Sequence, residues 1–209
     1  MKTYMIAVTV LLMSVPAWSG ELTVAGEWFA PATGVARDGG GSLTWRQSVA
    51  GDVYGLVSLG VRQRLGTPTT WGRGCGFWRV ENTRQGSIAD ISAAIGMGVR
   101  WPLPWRGWSA SVETALAYDW LDSDVQVTTS MFGLPGIRQV SHYAARDTQT
   151  LRLAAAVSRY LTENMRIRFG GGYNLDLAPQ TLTCNGRTSS IHYDGSGFFA
   201  NVGLAIKVN

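Results

Sequence analysis

Residues 107–120 read Gly-Trp-Ser-Ala-Ser-Val-Glu-Thr-Ala-Leu-Ala-Tyr-Asp-Trp. Successive side chains of a β-strand point to opposite sides. That period puts Trp108, Ala110, Val112, Thr114, Leu116, Tyr118 and Trp120 on one face, and Ser109, Ser111, Glu113, Ala115, Ala117 and Asp119 on the other. The first face is apolar with an aromatic residue at each end; the second is small or charged. A strand that crosses a bilayer has this composition, with aliphatic groups toward lipid, aromatic anchors at both interfaces and small polar groups toward a lumen.

The same period recurs outward from this stretch. Segments near 21–30, 43–49, 53–62, 90–101, 151–158, 165–177 and 198–208 alternate apolar with small or charged residues, 43–49 less regularly than the others, which brings the total to eight. In six of the eight, the ions share the face opposite the aliphatics: Glu27, Arg62, Asp90, Arg100, Glu113, Arg152, Arg166, Arg168 and Asp176. The connections after the second, fourth and sixth segments are very short, whereas 31–42, 65–87, 121–146 and 179–195 are long. This rhythm separates two ends of one object and puts both chain ends of the domain at the short-turn end. The fold expected is all-β: an eight-stranded antiparallel up-and-down transmembrane β-barrel, its short turns periplasmic and its long loops extracellular. The last strand is expected to finish the chain, with no further domain.

A soluble eight-stranded barrel would reverse the polarity, with apolar residues around a ligand inside and ions outside. Three features argue against it: the aromatic tips on the aliphatic face, the many Gly, Ala and Ser on the charged face, and a lysine content limited to Lys2 and Lys207. Eight strands enclose a space only just wide enough for side chains. A filled polar interior follows, its Arg, Asp and Glu paired in a mixed-sign network because an unpaired charge there is costly. Glu113 and Asp119, which could suggest paired carboxylates for acid–base work, are better read as partners for arginine. Trp28, Trp101, Trp108, Tyr118 and Trp120 are expected in the aromatic girdles.

The 209 residues begin with Lys2, an apolar stretch from Met5 to Val15 and Pro16-Ala17-Trp18-Ser19. This reads as a secretory signal (residues 1–19) rather than a membrane anchor, since the run is too short to span hydrocarbon. Residues 20–209 then form the barrel domain. The net charge of +4 falls to +3 without Lys2, and no basic run interleaved with aromatics argues for nucleic acid. The 26 glycines suit strands that bend and crowd. Gly39-Gly40-Gly41 reads as a flexible loop and Gly170-Gly171-Gly172 as a crowded strand; neither has the sequence context of a phosphate loop. Cys75 and Cys184, the two cysteines, fall in the second and fourth long connections at the same rim. In an exported chain a single disulfide is the favoured reading over two separate thiols, and neither has a second metal ligand at a workable spacing.

With these residues in place, the chain resembles the small outer-membrane β-barrels typified by outer membrane proteins A and X. The resemblance covers essentially the whole chain after residue 19, rests on pattern and strand count, and implies residence in the bacterial outer membrane as a monomer. Outer-leaflet enzymes resembling the lipid A palmitoyltransferase or deacylase barrels carry Ser, His and acidic residues near the outer rim. His142 lies near Ser141 and Asp147, and His192 near Ser190 and Asp194. Neither neighbourhood matches a motif of those enzymes, so no catalytic residue, metal or cofactor is expected. The second long connection carries Trp71, Arg73, Cys75, Phe77, Trp78, Arg79 and Arg84. Aromatics and arginine favour interface hot spots, and arginine suits glycolipid phosphates; an aromatic girdle accounts for the same composition. The expected role is structural or surface-interacting, toward lipopolysaccharide, host surfaces or envelope partners. A lipid A-modifying enzyme and a small porin-like channel are the alternatives.

Overall fold

The structure is a computed structural model and describes residues 20–31, 38–75, 78–132, 138–144, 146–184, 187–193 and 195–208. Its strands are β1 (Gly20–Pro31), β2 (Asp38–Ala50), β3 (Val53–Cys75), β4 (Trp78–Pro102), β5 (Trp108–Phe132), β6 (Arg138–Ala144), β7 (Thr148–Tyr160), β8 (Met165–Asp176), β9 (Gln180–Cys184), β10 (Arg187–Tyr193) and β11 (Gly197–Val208). No helix long and apolar enough to cross a membrane occurs among the described residues.

Eight of these strands are the staves of a closed barrel. β1 to β5 form an antiparallel meander; β7 pairs with the first half of β5, β8 with β7, and β11 with both β8 and β1. Closure gives every stave two neighbours, so no backbone edge is left for lipid to solvate. The staves are the segments that the alternation predicts, because half of each must face lipid and half the lumen.

Sidedness is that of a membrane barrel. Ile95, Leu116 and Phe169 are 65%, 48% and 41% exposed, while Asp90 is 1% exposed. The inward apolar residues are few: Tyr54, Leu56, Ala94, Ala115 and Ala117 form one small cluster within the lumen. At one end the connections are tight. Gly51 (φ +54°) and Gly107 (φ +79°) take left-handed backbone in two of them, and in the third the Thr162 hydroxyl accepts from the amides of Asn164 and Met165 at 3.3 and 3.1 Å.

The other end departs from the sequence reading. The stretches 65–87, 121–146 and 179–195, expected as long loops, contain continuous sheet: β3 and β4 remain paired up to Cys75 opposite Trp78, β6 lies on the second half of β5, and β9–β10 forms a hairpin joined to β6. Neither face of this annex needs to meet lipid, so alternation is absent there, yet backbone amides still require partners. Thr69, Thr70, Thr128 and Thr129 favour strand, and Pro68, which lacks a donor, falls at the register irregularity between Gly66 and Thr69. Gly39-Gly40-Gly41 is likewise not a loop. It belongs to β2, with Gly40 opposite both Glu27 and Arg62; a Cβ at Gly40 would run into the Val61 carbonyl and the Arg62 side chain. Gly172 lies in a crowded strand, where a Cβ would meet the Leu153 carbonyl.

Candidate functional site: the ionic lumen

Side chains from all eight staves fill the barrel in tiers. Nearest the short turns, Glu21 of β1 accepts two hydrogen bonds from Arg100 of β4 (3.1 and 3.3 Å) and also meets Arg166 of β8 and, at 3.8 Å, Arg46 of β2. β1 and β2 pair Glu21 directly with Arg46, so two inward positions in register supply opposite charges.

One tier further in, Glu113 of β5 is the hub. Its Oε1 accepts from Arg46 Nε (2.7 Å), Tyr54 OH (2.7 Å) and Arg168 Nη2 (2.8 Å), while Oε2 takes Arg46 Nη2 at 3.3 Å. Arg46 and Arg168 also donate to the hydroxyls of Thr23 and Ser111. A carboxylate with this many charge-assisted bonds ties β5 across the lumen to β2, β3 and β8, none of which pairs with it in the sheet.

Toward the long-loop end the balance reverses among the described side chains. Glu27 receives Arg152 at 2.7 Å and the Ser42 hydroxyl at 2.8 Å. Arg62 bridges Asp90 (3.0 Å) and Asp119 (3.3 Å), and Asp119 also takes the Thr150 hydroxyl. Asp176 is held by neutral donors: the Thr148 hydroxyl at 2.6 Å and the amides of Gly195 and Ala178 at 2.9 and 3.0 Å. Two arginines of this half stack on inward aromatics, Arg152 over Phe199 at 3.9 Å and Arg62 over Phe29 at 5.6 Å.

The structure therefore brings Glu27, Arg62, Asp90, Arg100, Glu113, Arg152, Arg166, Arg168 and Asp176 into the lumen, Asp176 through hydrogen bonds to neutral donors. Sequence reasoning omits Glu21, Arg46 and Tyr54 from the ionic set and places Asp119 on the right face without naming which arginine it meets. Glu21 shares the parity of Glu27 on β1, and Arg46 lies opposite Leu43, Trp45 and Val49 in a segment whose period Gln47 interrupts; parity is a signal that could have found both.

Of the predicted girdle, Trp28, Trp101 and Tyr118 are exposed, Trp108 and Trp120 partly so, with the Tyr118 and Trp120 rings edge to face at 5.0 Å. Trp105 and Tyr160, not among the girdle residues expected from sequence, join Trp101 and Trp108 at the short-turn end. The side chains of Trp71, Arg73, Trp78, Arg79, Arg84, His142, His192, Cys75 and Cys184 lie outside the described residues, as do residues 1–19. Backbone register puts Cys184 level, through Tyr143 and Val125, with Gly86 of β4, whereas Cys75 is level with Trp78. A bridge between the cysteines would need the β3–β4 tip to lean back over the annex, since a disulfide spans at most about 7 Å between Cα atoms.

The lumen is divided. A central cavity of about 40 Å³, lined by Arg46, Glu113 and Arg168 among others, holds at most a few waters. A funnel of about 610 Å³ opens between the short turns, with Arg100 and Arg166 on its wall.

No family model matches the sequence, nor does any curated protein. Among solved structures, a major outer membrane protein from Thermus thermophilus aligns with a TM-score of 0.51 at 10% identity, covering 90% of this chain and 98% of that one. Neisserial surface protein A aligns at 0.49 and 13% identity (90% and 95% covered). Ail, the attachment invasion locus protein of Yersinia pestis, solved with the heparin analogue sucrose octasulfate, aligns at 0.43 and 10% identity (90% and 96% covered). At 10% identity the Thermus alignment speaks for fold alone. With its lipid-facing belt and ionic interior, this chain has the fold of the small eight-stranded β-barrels of the bacterial outer membrane.

Proposed function

We propose that this chain is an integral outer-membrane protein of structural and surface-interacting type, exported by removal of residues 1–19, monomeric and non-enzymatic. Its working surface is the sheet annex beyond the barrel rim. What supports this reading is the asymmetry of the two ends: short turns at one, and at the other paired strands β3–β4, β5–β6 and β9–β10 that exceed what bilayer crossing requires. A transmembrane strand needs about 9–11 residues, and β4 and β5 each have 25. The excess length carries Trp71, Arg73, Trp78, Arg79 and Arg84. Arginine forks fit the phosphates of lipopolysaccharide, and aromatic–arginine clusters fit host or envelope partners.

The test is binding of the refolded barrel to lipopolysaccharide-containing bilayers. Replacing Arg73, Arg79 and Arg84 together by Ala should weaken it by roughly tenfold or more, by analogy with the loss of charge-assisted contacts; unchanged binding would end the glycolipid part of the reading. Incubation with labelled lipid A should leave it unmodified. A product that disappears on replacing His142 and His192 would make the chain an enzyme instead. Planar bilayers should stay electrically silent, because the central cavity is water-sized.

A further inference from the structure

The funnel between the short turns has the chemistry of an anion site. Its ionic wall comprises five cations, Arg46, Arg100, Arg106, Arg166 and Lys207, against the carboxylates Glu21, Asp52 and Glu163. At the exposed rim Arg106 and Lys207 are balanced by Asp52 and Glu163. The excess positive charge is thus deep, where Glu21 meets Arg46, Arg100 and Arg166 together. The tier behind does not correct it, because Glu113 is itself shared by Arg46 and Arg168.

A second observation points to a missing acceptor. Arg100 Nε and Arg166 Nη1 are buried and have no acceptor among the described residues, although Arg166 as a residue is only 9% exposed. Buried guanidinium donors are ordinarily satisfied. Two arginines on the funnel wall share one carboxylate, and each keeps a donor, shielded from the funnel itself, that no described residue accepts; a tetrahedral oxyanion that draws the guanidiniums off Glu21 gives the pair the acceptor it lacks.

We propose that the short-turn mouth binds a phosphate oxyanion through Arg100 and Arg166, with Glu21 as the internal competitor for the same guanidiniums. The phosphate can be free in the adjacent aqueous compartment or carried by a lipid headgroup, since the funnel opens at membrane-interface level beside Trp101, Trp105 and Trp108.

The test uses the refolded full barrel, ¹⁵N-labelled, in dodecyl maltoside, which carries no phosphate. The Nε–H signal of Arg100 is followed during titration with inorganic phosphate and, separately, with dihexanoyl phosphatidic acid. A saturable shift with either supports the site, and the probe that gives it names the source. A drift reproduced by sodium chloride at equal ionic strength overturns it. Variants act in opposite senses. Arg166→Gln should weaken binding about tenfold, and the exposed Arg106→Gln about twofold, as expected for a direct and a screened charge respectively. Glu21→Gln, which frees the guanidiniums, should tighten binding severalfold; a folded Glu21→Gln barrel that binds phosphate more weakly than the parent also overturns the proposal. Folding of each variant is read from heat-modifiable gel migration, and Arg106→Gln, outside the lumen, remains informative if a lumen variant fails to fold.

Discussion

The two halves of the lumen solve the same problem differently. In the short-turn half, Glu21 and Glu113 face Arg46, Arg100, Arg166 and Arg168, so carboxylates are scarce and each is shared. Among the described side chains of the long-loop half, Glu27, Asp90, Asp119 and Asp176 outnumber Arg62 and Arg152, and hydroxyls and backbone amides help complete the carboxylates. The scarce partner is the vulnerable one. Deleting it strands several opposite charges in a low-dielectric interior, whereas deleting an abundant partner leaves neutral donors or an arginine with another carboxylate.

This difference predicts an order of effects. Glu113→Ala should be the most damaging change, costing about 3–5 kcal/mol because Arg46 and Arg168 lose their common acceptor while buried. It should appear as loss of the compact gel species or a strongly lowered urea midpoint in phosphatidylcholine vesicles. Asp176→Ala, which leaves the neutral donors of Thr148, Ala178 and Gly195, should cost about 1–3 kcal/mol in the same unfolding experiment. If Asp176→Ala proved as costly as Glu113→Ala, the contrast between the halves would fail.

Smaller still, Phe199→Leu should keep the fill of the long-loop half but remove the ring beneath Arg152. A cost of about 0.5–2 kcal/mol is expected, that of a desolvated cation–π contact, since Arg152 keeps Glu27. Finally, maleimide labelling reports on the annex rather than on stability. If Cys75 and Cys184 are bridged, as an exported chain favours, the protein resists labelling until it is reduced and then takes two labels. Labelling without reductant would mean that the β3–β4 tip stands upright as its register runs.

Legibility in the sequence followed the physics of each region. Where a strand separates lipid from lumen, the two solvents impose alternation on every residue. Val112, Leu116, Ser111 and Glu113 therefore declare their faces before any register is known. Beyond the rim no such contrast exists, and residues 65–87 read as loop although 69–75 are paired with 78–84. Gly39–Gly41 read as loop for a related reason, because small residues show no polarity. Their strand role comes from Arg62 and Val61 across the ladder. Arg46 escapes notice because Gln47 breaks the period of its segment, although Leu43, Trp45 and Val49 already lie opposite it, and its pairing with Glu21 settles where it points.

The sequence by itself determined the class of fold, the number of staves and which side of each meets lipid, since hydrophobicity at period two is a local property that each strand carries alone. Which carboxylate meets which guanidinium, the excess of positive charge at the short-turn mouth, and the sheet that rises from the rim were decided only by tertiary structure. Those depend on the stagger between strands far apart in the chain, as when Arg152 reaches Glu27 or Arg100 reaches Glu21 across the barrel, and no local pattern encodes a stagger.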